Sequence, residues 1–292
     1  MKKIWIFILL IFTMVGCSNN KKIINYNDIE IMSAINSDNS EMVNKILNSG
    51  VPVDYRFKNG DSLVGLTLKN DSLEVLRVLL KHKINLNEPI PSVKILGTDS
   101  LSPAQTPIFY VKSLEALKMV VNSGANINCI NSEGTPLLTY FIKYKPMDYS
   151  IYLVENGADL NIKDKEEWTP VFWASIEGNE KLLKIMYQQN PGSFLSKDKK
   201  GNYPIYYAFG EENINSLLEG QYNIDAKNIY GENILGEVYL KSVANGYISS
   251  VEKLFNLGIN RNYKSYGENA LNIAEKFDNQ LMYNFLKEKG VK

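Results

Sequence analysis

The chain has 292 residues, of which 45% are hydrophobic, as is normal for a folded protein of one or two domains. Its formal net charge is +0, so composition gives no support to a nucleic-acid partner or to a broadly charged surface. We therefore expect no nucleic acid among its partners.

The N-terminus has the pattern of a signal peptide. A basic start, Met1-Lys2-Lys3, precedes an apolar run from Ile4 to Val15 that only Thr13 interrupts. This run is too short for a membrane-spanning helix, which needs about 20 residues. It suits the hydrophobic region of a signal peptide, and residues 1–16 are predicted to be one.

The next residues, Met14-Val15-Gly16-Cys17, resemble the lipobox of bacterial lipoproteins, with Met where Leu is usual. The resemblance implies cleavage between Gly16 and Cys17 and a diacylglycerol or palmitate-type lipid on Cys17. It also implies a membrane partner through that anchor, at the outer membrane and periplasm or at the cell surface of a bacterium. Residues 17–27 then form the lipidated Cys and a flexible tether. The alternative is an uncleaved anchor or an ordinary secretory signal.

A supersecondary unit is visible between Leu153 and Asn190. A Gly-Ala-Asp-Leu-Asn turn (157–161) follows an apolar helix end. Thr169-Pro170 then opens a helix, because Pro at a first-turn position lacks only an N–H that has no partner there. Gly178 ends that helix, and the apolar residues after it have the spacing of a second one. The unit is therefore a turn, two short helices and another turn.

The unit recurs eight times from Asp28 to Lys292, and its turns follow at steps of 33 residues, as from Gly124 to Gly157. The third copy has a shortened first helix, and the sixth is a few residues short. The seventh has a few extra residues between Ala244 and Ser250. A proline-rich stretch at 88–105 is predicted to be an inserted loop on one face of the stack.

This pattern resembles the ankyrin repeat, which has the same period. The resemblance implies an all-α fold: a solenoid of about 7–8 helix–turn–helix repeats joined by β-turn fingers, over residues 28–292. Each repeat buries its apolar face only against its neighbours. The family's His after Thr-Pro-Leu is absent throughout. A tandem helical solenoid of another type is the alternative fold.

Catalysis has little support in the sequence. His82 is the one histidine, and no HExxH motif, CxxC pair or GxSxG elbow is present. The carboxylate pairs Glu166-Glu167 and Glu211-Glu212 lie on turns or helix ends, where acids are normally solvated. Cys129 has no predicted disulfide partner. We predict no catalytic residue, metal site or cofactor; a hydrolase with an unrecognised site around His82 is the alternative.

The resemblance implies that partners bind the turn tips and the exposed side of the first helices, on the concave face. The residues predicted to bind protein are Lys165, Glu166, Trp168, Lys199, Lys200, Tyr230 and Tyr266. Further positions on the same tips and helices are Lys58, Asn59, Asp61, Lys69, Asn70, Ile176, Glu177, Asn202, Glu232 and Glu268. Aromatic residues at exposed tips are typical interface anchors, although a turn tyrosine can also pack on its neighbour. The first-helix residues Phe172, Trp173, Tyr206 and Tyr207 are predicted to belong to the core.

These patterns predict a monomeric, non-enzymatic protein-binding scaffold anchored to the bacterial envelope. Flat repeat surfaces offer contact area without a deep apolar pocket, which favours protein partners over small molecules. An immunity or inhibitor protein that neutralises a secreted toxic enzyme is the alternative. A spacer with only transient partners is a further one.

Overall fold

The computed structural model describes residues 26–90 and 104–292. The predicted signal peptide, Gly16, Cys17, the tether up to residue 25 and most of the predicted loop lie outside the described residues. Within them, no helix combines the length and apolar character that crossing a membrane requires.

The described residues form α-helices in pairs. The first eight are α1 (Asp28–Asn36), α2 (Ser40–Asn48), α3 (Leu63–Asn70), α4 (Leu73–Lys81), α5 (Leu114–Asn122), α6 (Leu137–Tyr144), α7 (Met147–Glu155) and α8 (Pro170–Glu177). The others are α9 (Glu180–Gln189), α10 (Pro204–Tyr207), α11 (Glu211–Leu217), α12 (Ile234–Ala244), α13 (Ile248–Asn256), α14 (Ala270–Lys276) and α15 (Gln280–Glu288). Two 3-10 helices span Pro107–Tyr110 and Pro191–Leu195, and two short strands are β1 (Lys264–Ser265) and β2 (Glu268–Asn269).

The pairs make eight repeats, numbered 1 to 8 in chain order, and the 3-10 helix at Pro107–Tyr110 serves as the first helix of repeat 3. First helices pack on first helices, and second helices on second helices, so the stack has two helical layers. One apolar core runs between the layers through all eight repeats. The predicted all-α ankyrin-repeat solenoid is confirmed.

Asparagine starts many of these helices. Its side-chain oxygen accepts a backbone N–H of the first turn and satisfies a donor that has no partner within the helix. Asn179, for example, accepts from the Leu182 N–H at 2.8 Å, and Asn233 accepts from Gly236 at 2.6 Å. Pro170 lies in the first turn of α8, as the sequence predicted, whereas Pro136 is the residue before α6.

A β-turn finger precedes the first helix of repeat 2 and of repeats 4 to 8. Short antiparallel bridges close several fingers at a spacing of six residues, such as Arg56 with Ser62 and Lys227 with Asn233. In repeat 3 the same kind of bridge joins Ile90 to Gln105, fifteen residues apart. Both N–H groups donate across that bridge, at 2.9 and 3.2 Å. The two ends of the predicted insertion therefore pair at the position where the bridges of the other fingers lie.

The first helices differ in length more than the second helices do. Eight residues form α8, but only four form α10 and the 3-10 helix of repeat 3, while α12 has eleven. The shortened first helix of repeat 3 and the extra residues of repeat 7 are thus confirmed, and both lie in the first-helix layer. Repeat 6 was predicted to be short before Asn223, and both of its helices are short, since α11 has only seven residues.

Candidate binding surface

A buried Asp or Asn braces each finger of repeats 4 to 7. In repeat 5, Asp164 Oδ1 accepts the backbone N–H groups of Glu166 and Trp168, each at 3.0 Å. In repeat 6, Asp198 Oδ1 accepts the corresponding groups of Lys200 and Asn202, each at 2.9 Å. Two backbone donors of a tight turn are satisfied by one side chain, which fixes the turn. The corresponding residues of repeats 4 and 7 are Asn131 and Asn228.

The second oxygen of each Asp holds an aromatic side chain of the first helix. Trp173 Nε1 donates to Asp164 Oδ2 at 2.7 Å, and the Tyr207 hydroxyl donates to Asp198 Oδ2 at 2.6 Å. Burial and the donation to Asp198 raise the pKa of Tyr207 to about 12. The finger and the exposed side of the first helix are therefore one rigid unit.

Six aromatic side chains of repeats 4 to 6 form two groups, which together we call the aromatic ladder. One group is the pair Tyr144 and Tyr140 of repeat 4, and the other is the row Trp173, Trp168, Tyr207 and Tyr206 of repeats 5 and 6. The ring centroids of contacting members lie 4.9 to 5.2 Å apart. Lys143 connects the two groups, because its Nζ lies 3.8 Å from the centre of the Trp173 ring and 5.5 Å from that of Tyr144.

The four first-helix aromatic residues predicted to belong to the core differ in burial. Phe172 is fully buried, as predicted for a core residue. Trp173, Tyr206 and Tyr207 are only half-buried. Trp173 and Tyr206 pack on the core and Tyr207 packs on the Phe172 ring, with the centroids 6.0 Å apart.

Trp168 does not lie at an exposed tip. It is half-buried and its ring stacks on Phe172 with the centroids 5.4 Å apart and the planes at 20°. The finger turns this side chain inward, since its backbone N–H is bonded to Asp164. Trp168 is thus part of the ladder and only half of it is accessible to a partner.

Tyr230 and Tyr266 do lie at exposed tips, with 65% and 88% of their surface accessible. Tyr266 is nevertheless held in place, because its hydroxyl donates to Glu232 Oε1 at 2.5 Å. The same carboxylate accepts from Tyr206 and from the Asn228 amide, and these bonds lower the pKa of Glu232. Glu232 therefore connects the fingers of repeats 7 and 8 to the ladder.

The charged residues predicted to bind protein are exposed on the fingers of repeats 5 and 6. Lys199 Nζ donates to the Lys165 carbonyl oxygen at 3.1 Å, and the Lys200 carbonyl oxygen accepts from the Ile229 N–H at 2.9 Å. Glu166 is exposed and its N–H bonds to Asp164. Successive fingers are thus tied together along one edge of the layer.

The corresponding surface of repeats 1 and 2 is polar and internally paired. Lys69 forms an ion pair with Asp61, and the Asn70 amide donates to Asn36 at 2.6 Å. Lys58 and Asn59 are exposed there. Ile176 and Glu177 of α8 are exposed beside the ladder, so the predicted positions fall on two chemically different parts of the layer.

Three lysines on the first-helix side have no carboxylate within ion-pair distance among the residues that the structure describes: Lys143, Lys145 and Lys241. Lys145 Nζ donates to the Val111 carbonyl oxygen at 2.7 Å, and Lys241 Nζ to that of Ala208 at 2.6 Å. Both acceptors directly follow a shortened first helix, so each lysine caps the truncated helix of the preceding repeat. Desolvation lowers the pKa of both side chains.

The residues weighed for catalysis are dispersed. His82 is exposed at the end of α4, with Nε2 3.2 Å from Asn44 Oδ1. Glu211 Oε1 accepts the Ser249 N–H at the start of α13, which is a capping role. Cys129 is a buried free thiol whose pKa is raised by burial. In the part of the chain that the structure describes, no group of acids, His and Cys has the arrangement of a metal site.

Sequence reasoning missed Asp164, Asp198, Asn131 and Asn228, which organise the fingers. A signal was present, because an Asp or Asn stands six residues before the first helix in each of repeats 4 to 7. The lysine caps had no such signal. Lys145 and Lys241 act on the repeat before their own, so only the stacking of repeats identifies them.

A family model for ankyrin repeats, in three copies, matches residues 108–198 and 149–228. The chain is 28% identical over 260 residues to a putative ankyrin repeat protein of Acanthamoeba polyphaga mimivirus, covering 84% of this chain and 32% of that protein. It is 21% identical over 237 residues to one of fowlpox virus, covering 80% of this chain and 38% of the relative. A probable 26S proteasome regulatory subunit of Saccharomyces cerevisiae is 29% identical over 103 residues, which are 35% of this chain and 45% of that subunit.

The chain thus spans less than half the length of each of these three relatives. The chain contains ankyrin repeats, and such repeats indicate a scaffold for protein–protein interaction.

Proposed function

We propose that this chain is a non-enzymatic, monomeric protein-binding scaffold that a lipid on Cys17 holds at a bacterial envelope membrane. The observation that carries the binding part is the aromatic ladder. Two of its rings, Trp173 and Tyr207, donate to buried carboxylates, and all six remain partly open to solvent, as in interface anchors that bind at a low cost in side-chain entropy. The anchor and the envelope location rest on the residues Met14 to Cys17 of the sequence.

The binding part is tested by affinity capture from an envelope extract, with the full chain held in a mild detergent. A second capture uses Tyr144→Ser, an exposed ring of the ladder, with Phe209→Ser, an exposed ring two residues after α10. The matched control is Leu257→Ser with Leu281→Ser, which are also exposed but lie on the second-helix side, 41% and 76% accessible. We expect one protein to be retained by the native and control forms and lost with the first pair. Equal capture by all three forms contradicts a role for this surface.

The anchor is tested separately by feeding cells a palmitate analogue and comparing the native chain with Cys17→Ser. We expect the label on the native chain alone, with the variant released into the soluble fraction. A labelled variant, or an unlabelled native chain, rules out lipidation at Cys17.

An inhibitor of a secreted enzyme is the second candidate, because the surface is continuous and rigid enough to cover an active site. The captured partner distinguishes it: an enzyme that loses activity on binding identifies an inhibitor, whereas a partner that stays active identifies a scaffold.

A further inference from the structure

Repeat 1 leaves open a position that every later repeat buries. The second residue of α1 is Ile29, and 79% of its surface is accessible. The second residue of the first helix is buried in each of the other seven repeats, from Val64 in repeat 2 to Leu271 in repeat 8. An exposed residue at this position is therefore particular to the start of the stack.

Two methionines of repeat 1 show the same difference. Met32 is the fifth residue of α1 and Met42 is the third of α2, and both are half-buried. The residues at these positions are buried in all seven later repeats, for example Thr67 and Val75 in repeat 2. Because each repeat stacks on the one before it, these positions form the side of a repeat that its predecessor covers. We call Ile29, Met32 and Met42 the N-terminal face.

The other end of the stack is polar. The fourth residue of the second helix is buried in repeats 1 to 7, from Val43 to Val251, and is only half-buried in repeat 8, where it is Tyr283. Tyr283 borders a cavity of about 260 Å³ whose lining includes Glu275 and Asp278. The terminal repeats of a soluble solenoid need such a polar outer surface. Repeat 8 provides one, whereas the N-terminal face is apolar and needs a cover.

The residues that lead into α1 are part of repeat 1. The Glu30 N–H donates to Asn27 Oδ1 at 3.0 Å, and the Asn27 N–H donates to Glu30 Oε2 at 2.9 Å, so the two residues cap the helix reciprocally. Tyr26, just before them, is half-buried and packs against the apolar core. An apolar residue at this position fixes the angle at which the chain enters a helix. The segment before Tyr26 therefore starts from a fixed point beside the N-terminal face.

That segment has the composition of an apolar cover. Ile23 and Ile24 are the only apolar residues between Cys17 and Tyr26. In an extended segment alternate side chains share a side, so Ile24 would lie on the side of Tyr26, which packs on the core. Four extended residues span about 13 Å, and packed helices lie about 8–10 Å apart, so the segment is long enough to cross from α1 to α2.

The charges of repeat 1 favour the same segment. The exposed charged residues of α1 and α2 are Glu30, Glu41 and Lys45, so acids outnumber bases on these two helices. Lys21 and Lys22 directly precede the two isoleucines. Two lysines next to two isoleucines therefore complement a surface that has both exposed acids and exposed apolar side chains.

We propose that residues 21–24 cover the N-terminal face, with the two isoleucines against Ile29, Met32 and Met42 and the two lysines near the acids of α1 and α2. The segment thereby takes the place of a preceding repeat. The link between this cover and Cys17 is then only residues 18–20, so the proposed anchor would hold repeat 1 close to the membrane. This last consequence alone rests on the anchor.

The test measures hydrogen exchange in α1 and α2 by mass spectrometry, with the full chain in a mild detergent. Ile23→Ser with Ile24→Ser should accelerate exchange in these two helices by about tenfold, because apolar surface returns to water, and should leave repeat 8 unchanged. The matched control is Asn19→Ser with Asn20→Ser in the same segment, which should change nothing. No acceleration with the isoleucine pair, or equal acceleration with the control, overturns the cover.

Contact between the segment and the face is tested by combining Ile24→Ser with Met42→Ser. If these side chains touch, the double variant should lose less protection than the product of the two single losses, by about threefold or more. Single losses that simply multiply contradict the contact.

The contribution of charge is tested by reversal. Lys21→Glu with Lys22→Glu should accelerate exchange in α1 and α2 by about two- to threefold, and the further change Glu41→Lys should restore protection. If protection is not restored, the lysines do not lie near Glu41 and that part of the proposal is wrong.

Two other occupants of the face would give different results. A second copy would appear in sedimentation equilibrium as a dimer that Ile29→Ser dissociates. A membrane would protect α1 and α2 only when vesicles of phosphatidylcholine and phosphatidylglycerol are added to the Cys17→Ser chain in the absence of detergent. Either outcome overturns the proposal. The isoleucine pair should have the same effect in Cys17→Ser, so the cover and the anchor can fail separately.

Discussion

Repeats 5 and 6 are neighbours that share a finger design and differ in the helix behind it. Asp164 and Asp198 brace their fingers with the same pair of backbone bonds. Repeat 5 continues into the eight-residue helix α8, which ends at Gly178 in the left-handed conformation. Repeat 6 has only four residues in α10, and Lys241 of repeat 7 covers the carbonyl group after it. A full repeat ends its own first helix, whereas a truncated repeat depends on the next one.

The comparison shows which parts of a repeat can vary. The finger is the same in both repeats because its buried carboxylate accepts the two backbone N–H groups of the turn. The length of the first helix can vary, because Lys241 of the next repeat donates to the Ala208 carbonyl group that the truncated helix leaves without a helical partner. In a linear stack, a truncated repeat can receive such a bond from the repeat that follows it.

The largest effect should come from removing either buried carboxylate. Asp164→Ala and Asp198→Ala each leave two turn N–H groups without their acceptor, and we expect each to reduce the free energy of unfolding by about 3 kcal/mol. Asp→Asn at the same positions keeps the acceptor of the two turn N–H groups, as Asn does in repeats 4 and 7, but replaces the oxygen that accepts from Trp173 or Tyr207, so we expect a smaller cost of about 1–2 kcal/mol. Urea denaturation followed by circular dichroism measures both. If the two Ala variants lose very different amounts of stability, the two Asp residues do not have equivalent roles in their fingers.

Lys241→Met tests the dependence of repeat 6 on repeat 7. The substitution keeps most of the apolar stem and removes the donor to the Ala208 carbonyl group, so we expect a loss of about 2 kcal/mol in the same assay. Lys184→Met is the control, because Lys184 pairs only with Glu180 on an exposed helix surface, and should change stability by less than about 0.5 kcal/mol. If both Lys→Met substitutions lower the free energy of unfolding by the same amount, the bond from Lys241 does not stabilise the truncated repeat.

The fingers of repeats 5 and 6 each have one residue with a positive φ, and a substitution there can raise the free energy of unfolding instead of lowering it. Glu167 has φ of +64°, whereas the equivalent residue of repeat 6 is Gly201 with φ of +80°. A non-glycine residue is strained there, so Glu167→Gly should stabilise the protein by about 0.5–1 kcal/mol and Gly201→Ala should destabilise it by at least as much. Thermal denaturation of both variants checks the signs. A destabilised Glu167→Gly variant would mean that the Glu167 side chain contributes more than the strain costs.

Alkaline pH should weaken the bond between the finger and the first helix in repeat 6 but not in repeat 5. Tyrosine in the unfolded chain ionises near pH 10, but burial first, and donation to Asp198 second, raise the pKa of Tyr207 to about 12. The unfolded state therefore holds fewer protons than the folded state between these pH values, and stability falls as pH rises through that window. The donor of repeat 5 is Trp173, which does not titrate.

The measurement compares Tyr207→Phe with Trp173→Phe. Both lose a donor at neutral pH, but only Tyr207→Phe should make the decline of stability between pH 10 and 12 shallower. Tyr206, whose pKa burial also raises to about 12, contributes equally to both variants. Identical slopes for the two variants would show that Tyr207 ionises in the fold as easily as in the unfolded chain.

Most of the fold could be predicted from the sequence because ankyrin repeats depend on local signals. The positions of Gly178 and Pro170 and the spacing of apolar residues define each unit, and the shortened repeats appear as missing residues. The binding surface was less predictable. Trp168 was expected at an exposed tip but is half-buried, because the ring stacks on Phe172 and Tyr207, which belong to its own and the next repeat.

The sequence by itself determined the all-α class, the number of repeats and the location of the fingers, since turns, caps and apolar periodicity act over a few residues. Only the tertiary structure decided which aromatic rings meet and which carboxylates are buried. It alone also shows that Lys145 and Lys241 cap the truncated repeats, over separations of 34 and 33 residues. These contacts join residues one repeat apart, and their partners become neighbours only when the repeats stack.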